Sequence, residues 1–525
     1  MRTALLAAML PVGLVLAAGT AMAANEGPMK EGFLAIQDGR FFKDGRPFPV
    51  RANDCDPAVG HWFKFHGPWL ETGIQECKQY GFNAIRTWVP GTMDGEQAAT
   101  YGRWKEDREA FYREFDDSIL KRCKDQGIYL ILTLTELPPD AAPGDHYDVT
   151  SPAYAAFRVF FQDFCSHYKD ETGILFYEVA NEYQGPGKAR PDVRRFYEQA
   201  AADVRAADPN HLISSGLDCM LWDGQDMWRF INSSRGIDIA STHVYAHDDW
   251  SFNWHTEREF TRIVREQAEA ARQVGKPLFL GEFGTTPRMK AGGENPELIW
   301  FMKAAIREGV PAYGFHWFYP VPEDGMFRLI PEHSPQTAEW MRGLNALVAE
   351  GKKVPEDFGP KTTDYALPLC NGARPFSGGA PITRGNVKVE TDEAVFGQAA
   401  PSLRISWQAG GATVEMGPYH PNDLTEYREA GGVLRLAVRT DGEVERFVQV
   451  LVRDGAGKTA SLPVVAFETT ARQQGGPPVW TTVRLPMQQL DIDWSQWIAV
   501  GFEFSPDSAG TVNVDDIEVA CEHAG

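Results

Sequence analysis

Two glutamates sit where apolar stretches turn polar: Glu182 closes ILFYEVANE, and Glu282 follows the apolar start of PLFLGEFG. Other polar and aromatic residues end similar stretches, namely Arg86 in NAIRTWV, His243 and Tyr245 in IDIASTHVY, and His316 and Trp317 in AYGFHWFYP. Asn181 directly precedes the first glutamate. A single carboxylate at such a place is often a solvated helix cap, but two of them with a guanidinium, an amide, an imidazole, a phenol and an indole form a set suited to acid–base work. Hydrolysis of an acetal between sugars needs one carboxylic acid to protonate the leaving oxygen and one carboxylate to attack or to activate water. Arg86 and Tyr245 suit an ionised Glu282, whereas Glu182, less well matched by positive charge, suits the proton-carrying role. Asn181 offers an amide for a sugar hydroxyl, and Trp317 a flat face for a pyranose ring.

Such a set works only if the fold brings the stretch ends to one place. The stretches FPVRAND, NAIRTWV, IYLILTLTE, ILFYEVANE, HLISSGLD, IDIASTHVY, PLFLGEFG and AYGFHWFYP read as strands, and most intervals hold a segment of helical period, such as PAYAAFRVFFQDFCSHYKD. Eight strand–helix units over this length predict a (β/α)₈ TIM barrel, whose active site lies at the C-terminal strand ends. An open doubly wound sheet is the competing architecture, but no Gly-rich dinucleotide turn is present. Ahead of the first unit, Lys43-Asp44-Gly45 predicts a hairpin. After SPQTAEWMRGLNALVAEG the period changes to two, and PSLRISWQ, ATVEMGPY, GGVLRLAVRTD, RFVQVLVRD, ASLPVVAFE, TTVRLPMQQL, WIAVGFEFS and GTVNVDDIEVA predict an all-β sandwich of jelly-roll type. The expected organisation is a signal peptide over 1–23, a catalytic barrel with its hairpin over 24–352, a linker over 353–368 and a β-sandwich over 369–525.

The leader reading rests on Arg2 before an apolar run that ends Ala21-Met22-Ala23. It predicts an exported protein, secreted or periplasmic. A formal charge of -21 argues against nucleic acid or an anionic membrane as partner. The seven cysteines include no C-x-x-C and no zinc-like Cys/His spacing, so neither a metal site nor an organic cofactor is implied. Cys370 and Cys521, near the two ends of the sandwich, are a candidate disulfide pair. Cys55, Cys77, Cys123, Cys165 and Cys219 read as small buried side chains.

FYEVANE, STHVY, FLGEFG, AIRTW and GFHWF, in this chain order, resemble the strand-end signatures of the clan A retaining glycoside hydrolases, and the hairpin and short loops resemble family 5, the cellulase and β-mannanase family. The resemblance spans residues from about 30 to 350. It implies Glu182 as acid/base and Glu282 as nucleophile, with Arg86, Asn181, His243, Tyr245 and Trp317 lining the cleavage subsite. It further implies a β-linked polysaccharide or oligosaccharide substrate, either β-mannan or β-1,4-glucan; the expected state of the chain is a monomer. Thr135 and Glu136 stand where many family 5 cellulases carry a histidine, which leans towards the mannanases. Exo-action on the same barrel and sugar binding without turnover are the alternatives.

Several residues admit two readings. Glu178 lies on the same strand face as Glu182 and reads as a hydrogen-bonded group deeper in the barrel rather than a third catalytic acid. Glu136, and the aromatic stretch carrying His61, Trp62, His66 and Trp69, serve either as loop structure or as cleft lining. Trp222, Trp250 and Trp254 are either core or sugar platforms. The sandwich resembles carbohydrate-binding modules, with a stabilising domain as the alternative. Asp515 and Asp516 offer two of the several oxygens that a Ca²⁺ would need.

Overall fold

The computed structural model describes residues 30–55, 59, 69–89, 96–134, 147–182, 191–218, 225–246, 256–285, 294–310, 312–316, 334–371, 374–375, 381–392, 402–418, 421–440, 446–467 and 480–521. A small antiparallel sheet comes first, β1 (Leu34–Gln37), β2 (Arg40–Lys43) and β3 (Arg46–Pro47). Asp44 and Gly45 both take positive φ in the expected turn. Leu34, Ile36 and Phe41 of this hairpin pack against Val50, Ala84, Ile131, Phe176 and Phe279, closing the N-terminal end of the next sheet with apolar side chains.

That sheet has eight parallel strands: β4 (Val50–Asp54), β5 (Ala84–Trp88), β6 (Tyr129–Thr133), β7 (Ile174–Glu178), β8 (Leu212–Ser214), β9 (Ala240–Ala246), β10 (Leu278–Thr285) and β11 (Ala312–His316). β11 pairs with β4, and a bridge between Ser214 and Ile239 joins the β8 end to β9, so the sheet closes into the expected barrel. β5 and β7 are buried along their whole length, as strands enclosed on both faces must be. The surrounding helices start on clear signals. Ser151 caps Pro152–Tyr168 with Pro152 in its first turn, and Thr256 with Glu259 forms a capping box at Glu257–Gln273. Phe157, Phe160, Phe161 and Phe164 on the first, and Phe260, Ile263 and Val264 on the second, turn towards the barrel core.

The remaining strands are antiparallel: β12 (Leu367–Asn371), β13 (Arg374–Pro375), β14 (Ile382–Asp392), β15 (Ser402–Met416), β16 (Val433–Thr440), β17 (Val448–Asp454), β18 (Thr459–Pro463), β19 (Thr481–Pro486), β20 (Trp497–Phe504) and β21 (Gly510–Ala520). PSLRISWQ and ATVEMGPY prove to be one long strand. β15 bends at Gly410 and Gly411, both at positive φ, pairing with β21 before the bend and with β20 after it. A short helix, Thr425–Glu429, stands between β15 and β16, where none was expected. This domain has its own apolar core, with Trp407, Val450, Phe502 and Val514 among its members.

The two domains meet at Glu259. One of its oxygens serves the capping box, and the other accepts from Asn422 Nδ2 (3.1 Å) and the Asp423 backbone N–H (2.7 Å). Cys370 and Cys521 are not joined: Cys521 keeps a free thiol. Cys370 lies opposite Ile517 in the antiparallel β12–β21 pair. Cys521 is four residues further along, about 13 Å at 3.3 Å per residue, beyond the about 7 Å that a disulfide spans between Cα atoms.

Candidate active site

Arg86 stands in the middle of β5 with its side chain wholly buried and every nitrogen engaged. Its Nε donates to Glu178 Oε2 (2.5 Å), its Nη1 to both Asp54 Oδ2 (3.1 Å) and Glu282 Oε1 (2.7 Å), and its Nη2 to Asn181 Oδ1 (2.9 Å). Burial alone would lower the guanidinium pKa, but Glu178, Asp54 and Glu282 together raise it well above its ordinary value, fixing a positive charge at the barrel mouth.

Glu282 owes its position to a bulge. In the β9–β10 register Leu280 faces Thr242 and Glu282 faces His243, so Gly281 is the extra residue. A Cβ on Gly281 would come within 2.9 Å of His243 Nε2, and one on Gly314 of β11 within 2.4 Å of the Gly281 carbonyl oxygen. Two glycines on neighbouring strands thus make room for the bulge that turns Glu282 inward. Its second oxygen, Oε2, accepts from the Tyr245 hydroxyl at 2.6 Å. Burial, with the negative charge of Glu282 added, pushes the Tyr245 hydroxyl well up and keeps it a donor.

Asn181 and Glu182 lie past the end of β7, which stops at Glu178, in a bend rather than on the strand itself. Glu182 adopts φ of 43°, an unusual conformation for a residue with a side chain. Its backbone N–H is tied to the Gly216 carbonyl (2.9 Å). Gly216, at φ of 63°, sits so close that a Cβ would fall 1.7 Å from the Ala180 oxygen. His243 Nδ1 bridges the two acids, 2.9 Å from Glu182 Oε1 and 3.4 Å from Glu282 Oε1. Burial pulls the imidazole pKa down, but Glu282 and the hydrogen bond to Glu182 outweigh it and leave it raised.

Among the described residues, Glu182, His243 and Glu282 are the only three acidic, histidine or cysteine groups that converge, their donor atoms all lying within 4.8 Å of one another. They do not fit a metal ion. Both Glu282 oxygens are taken by Arg86 and Tyr245, and His243 Nδ1, the ring atom facing both acids, is engaged by them. Among the described residues, Asp515 and Asp516 of the sandwich gather no third such group.

The structure brings six of the residues marked in the sequence into one constellation: Arg86, Asn181, Glu182, His243, Tyr245 and Glu282. Trp317, the His316 side chain, Thr135, Glu136, His61, Trp62, His66, Trp222, Trp250 and Trp254 lie outside the described residues. Trp69 packs half-buried at the start of a helix against the barrel core. The sequence reading missed Asp54, the last residue of FPVRAND, although its place at a strand end was visible. It also missed Thr133 and Ser214, whose hydroxyls donate to Glu178 at 3.1 and 3.0 Å.

Residues 43–319, over half of the chain, match the family described as Cellulase (glycosyl hydrolase family 5). A protein of Aspergillus terreus named probable mannan endo-1,4-beta-mannosidase C is 23% identical over 326 residues, covering 52% of this chain and 77% of that one. Mannan endo-1,4-beta-mannosidase 4 of Oryza sativa subsp. japonica is 22% identical over 332 residues, covering 52% and 70%. The X-ray structure of the endo-beta-1,4-mannanase from Thermotoga petrophila superposes with a TM-score of 0.49 at 15% identity, covering 84% of this chain and 98% of that one. With its barrel, its paired strand-end glutamates and a family match across most of that barrel, the chain belongs to glycosyl hydrolase family 5 and is a glycosidase.

Proposed function

We propose that the chain is an endo-β-1,4-mannanase that hydrolyses its substrate with retention of anomeric configuration. The observation that carries the mechanism is the approach of the two acids: one oxygen of Glu182 and one of Glu282 lie within 4.8 Å of each other beside His243, an approach that favours the narrower of two spacings. Retaining enzymes hold their carboxyl groups about 5 to 5.5 Å apart, whereas inverting enzymes leave about 6.5 to 9.5 Å for a water. In this reading Glu282 attacks the anomeric carbon while Glu182 protonates the departing oxygen. Glu182 then takes the proton of an incoming water that releases the sugar from Glu282. The donors divide accordingly: Arg86 and Tyr245 both serve Glu282, as an anionic nucleophile requires, and Glu182 receives a bond from His243 alone among the described side chains. Arg86 also orients the Asn181 amide beside the acid/base, and Trp317 is assigned to the same subsite as a stacking platform.

The substrate assignment is supported by the names of the curated relatives, mannan endo-1,4-beta-mannosidases from fungi and plants. Further parts of the reading are export after removal of residues 1–23, the division into 24–352, 353–368 and 369–525, and a monomeric state. Among the described residues no helix is long and apolar enough to cross a membrane. The test is reducing-end release from mannan, glucomannan, a soluble cellulose derivative, mixed-linkage glucan and xylan, with Glu282→Ala as control. The anomer formed first would be followed by NMR. Mannan cleavage with initial β-product, absent in the variant, is expected. Preference for cellulose derivatives would replace mannanase by glucanase, release of single sugars from chain ends would make the action exo, and initial α-product would overturn retention.

A further inference from the structure

Glu178, the last residue of β7, is a fully buried carboxylate inside the barrel, above the apolar cluster that closes its N-terminal end. Burying an anion there costs several kcal/mol unless it is paired and its lone pairs are satisfied. Both conditions hold: Oε2 accepts from Arg86 Nε (2.5 Å) and Thr133 Oγ1 (3.1 Å), and Oε1 from Ser214 Oγ (3.0 Å). β7 is thereby tied to β5, β6 and β8 through one side chain. With no solvent-accessible surface, Glu178 does not touch substrate.

The effect on Arg86 is more specific than cross-linking. A guanidinium facing one carboxylate takes it bidentately, the strongest arrangement available. Here that is prevented, because Nε is committed to Glu178, Nη2 to Asn181, and Nη1 is divided between Asp54 and Glu282. Glu282 receives one N–H of Nη1 (2.7 Å) rather than a two-bond fork, enough to orient its charge and less than a bidentate pair would impose. We propose that Glu178, with Asp54, is a positioning residue for the reaction: it shares the Arg86 charge and holds the guanidinium to a single-nitrogen contact with Glu282, and so preserves the nucleophilicity of that carboxylate. The inference rests on the assignment of Glu282 as nucleophile.

The charged and titratable groups facing Glu282, among the described residues, are Asp54 from β4, Arg86 from β5, Glu178 and Glu182 from β7 and the bend after it, and His243 and Tyr245 from β9. Glu178→Gln isolates the charge from the shape. The amide oxygen still accepts from Arg86 and Thr133, and the amide NH₂ donates to Ser214, whose hydroxyl can rotate to accept. With one anion removed, Arg86 bears more strongly on Glu282. The acid limb of the kcat/KM profile should then move to lower pH by about half to one unit. In the same variant kcat should fall about tenfold with KM within about twofold, the split expected of a group that acts on the nucleophile and not on binding. Should Glu178→Gln not fold, Asp54→Asn, which frees Nη1, reads the same limb in the same direction.

Glu282→Ala and Glu182→Ala belong in the same experiment. Wild-type kcat in either would show that the parent mechanism is wrong. If both are inactive while the folded Glu178→Gln and Asp54→Asn proteins keep the wild-type acid limb and kcat, with only the melting temperature lowered, Glu178 is structural and the inference is overturned.

Discussion

The barrel mouth and the sandwich both bury charge, but in different proportions. In the sandwich, Arg435 on β16 forks onto Glu518 directly across on β21 through Nε and Nη2, and Arg453 on β17 meets Glu415 on β15, each cation with one acid. At the mouth of the barrel a single guanidinium faces three carboxylates, with a third glutamate, Glu182, and an imidazole beside them. Matched pairs balance their own charge and leave none over for a ligand. An outnumbered cation buried among acids leaves their charges only partly balanced, and such imbalance is what acid–base chemistry exploits. On the proposed reading, the contrast separates buried charge that holds a fold from buried charge that works on a substrate.

The largest effect should come from the mouth itself. Glu282→Gln keeps the volume and a hydrogen-bond acceptor for Tyr245, yet activity should fall by at least about 10⁴-fold while the far-ultraviolet circular dichroism and melting temperature stay near wild type. Next comes Gly216→Ala. A methyl 1.7 Å from the Ala180 oxygen cannot be accommodated at a φ of 63° without moving the Asn181–Glu182 bend. If Glu182 is the acid/base, as proposed, a shift of about 1 Å in it should cost about 10²-fold in kcat. The measurement is kcat for substrates with good and poor leaving groups. The defect should be greatest for the poor ones, which need the proton, and an equal loss on both would remove Glu182 from the acid role.

The two regions also differed in how far the chain alone revealed them. The barrel was readable because each of its strands is a short apolar run with a helical segment behind it, and because Arg86, Asn181, Glu182, His243, Tyr245 and Glu282 all interrupt those runs at their C-terminal ends. What holds these residues was not readable. Gly281 looks like any glycine until the β9–β10 register shows a bulge, and Gly216 until its distance to Ala180 is known. Thr133 and Ser214 are ordinary strand hydroxyls whose common partner, Glu178, emerges only when three strands close on it. In the sandwich the alternation marked the strands from β15 onward, but Gly410 and Gly411 looked like a turn between two strands. They bend one strand instead, because β14 runs alongside both halves and keeps them continuous. The Cys370–Cys521 pairing failed for a related reason, since closeness to the two ends of a domain says nothing of register.

Smaller effects are expected in the sandwich. Glu518→Gln leaves Arg435 without its countercharge, but the Arg435 side chain is 36% exposed, so water takes over part of the loss. Stability should drop by about 1 kcal/mol, well below the 3–5 kcal/mol of a fully buried pair, as read from the urea midpoint. Turnover of soluble substrate should not change. A change in kcat would mean that sandwich charge reaches the site, through the Glu259 contact with Asn422 and Asp423, and the division between working and holding charge would have to be redrawn.

The finest test of that division is the pH dependence of stability. His243 has its folded pKa raised above the ordinary imidazole value by Glu282 and by the bond to Glu182, against the opposing pull of burial. A group raised in the folded state binds its proton more tightly there than in the unfolded chain. Its contribution is therefore complete below the unfolded value, about 6.5, and is lost as the pH rises through the folded one. The urea midpoint of the wild-type protein should decline across that window, and His243→Gln should remove part of the decline. Glu518→Gln, which alters a charge remote from this imidazole, should shift the whole curve down without changing its slope there. Equal slopes in wild type and His243→Gln would mean that the imidazole does not carry its proton between the two glutamates, and the field at the mouth would then rest on Arg86 alone.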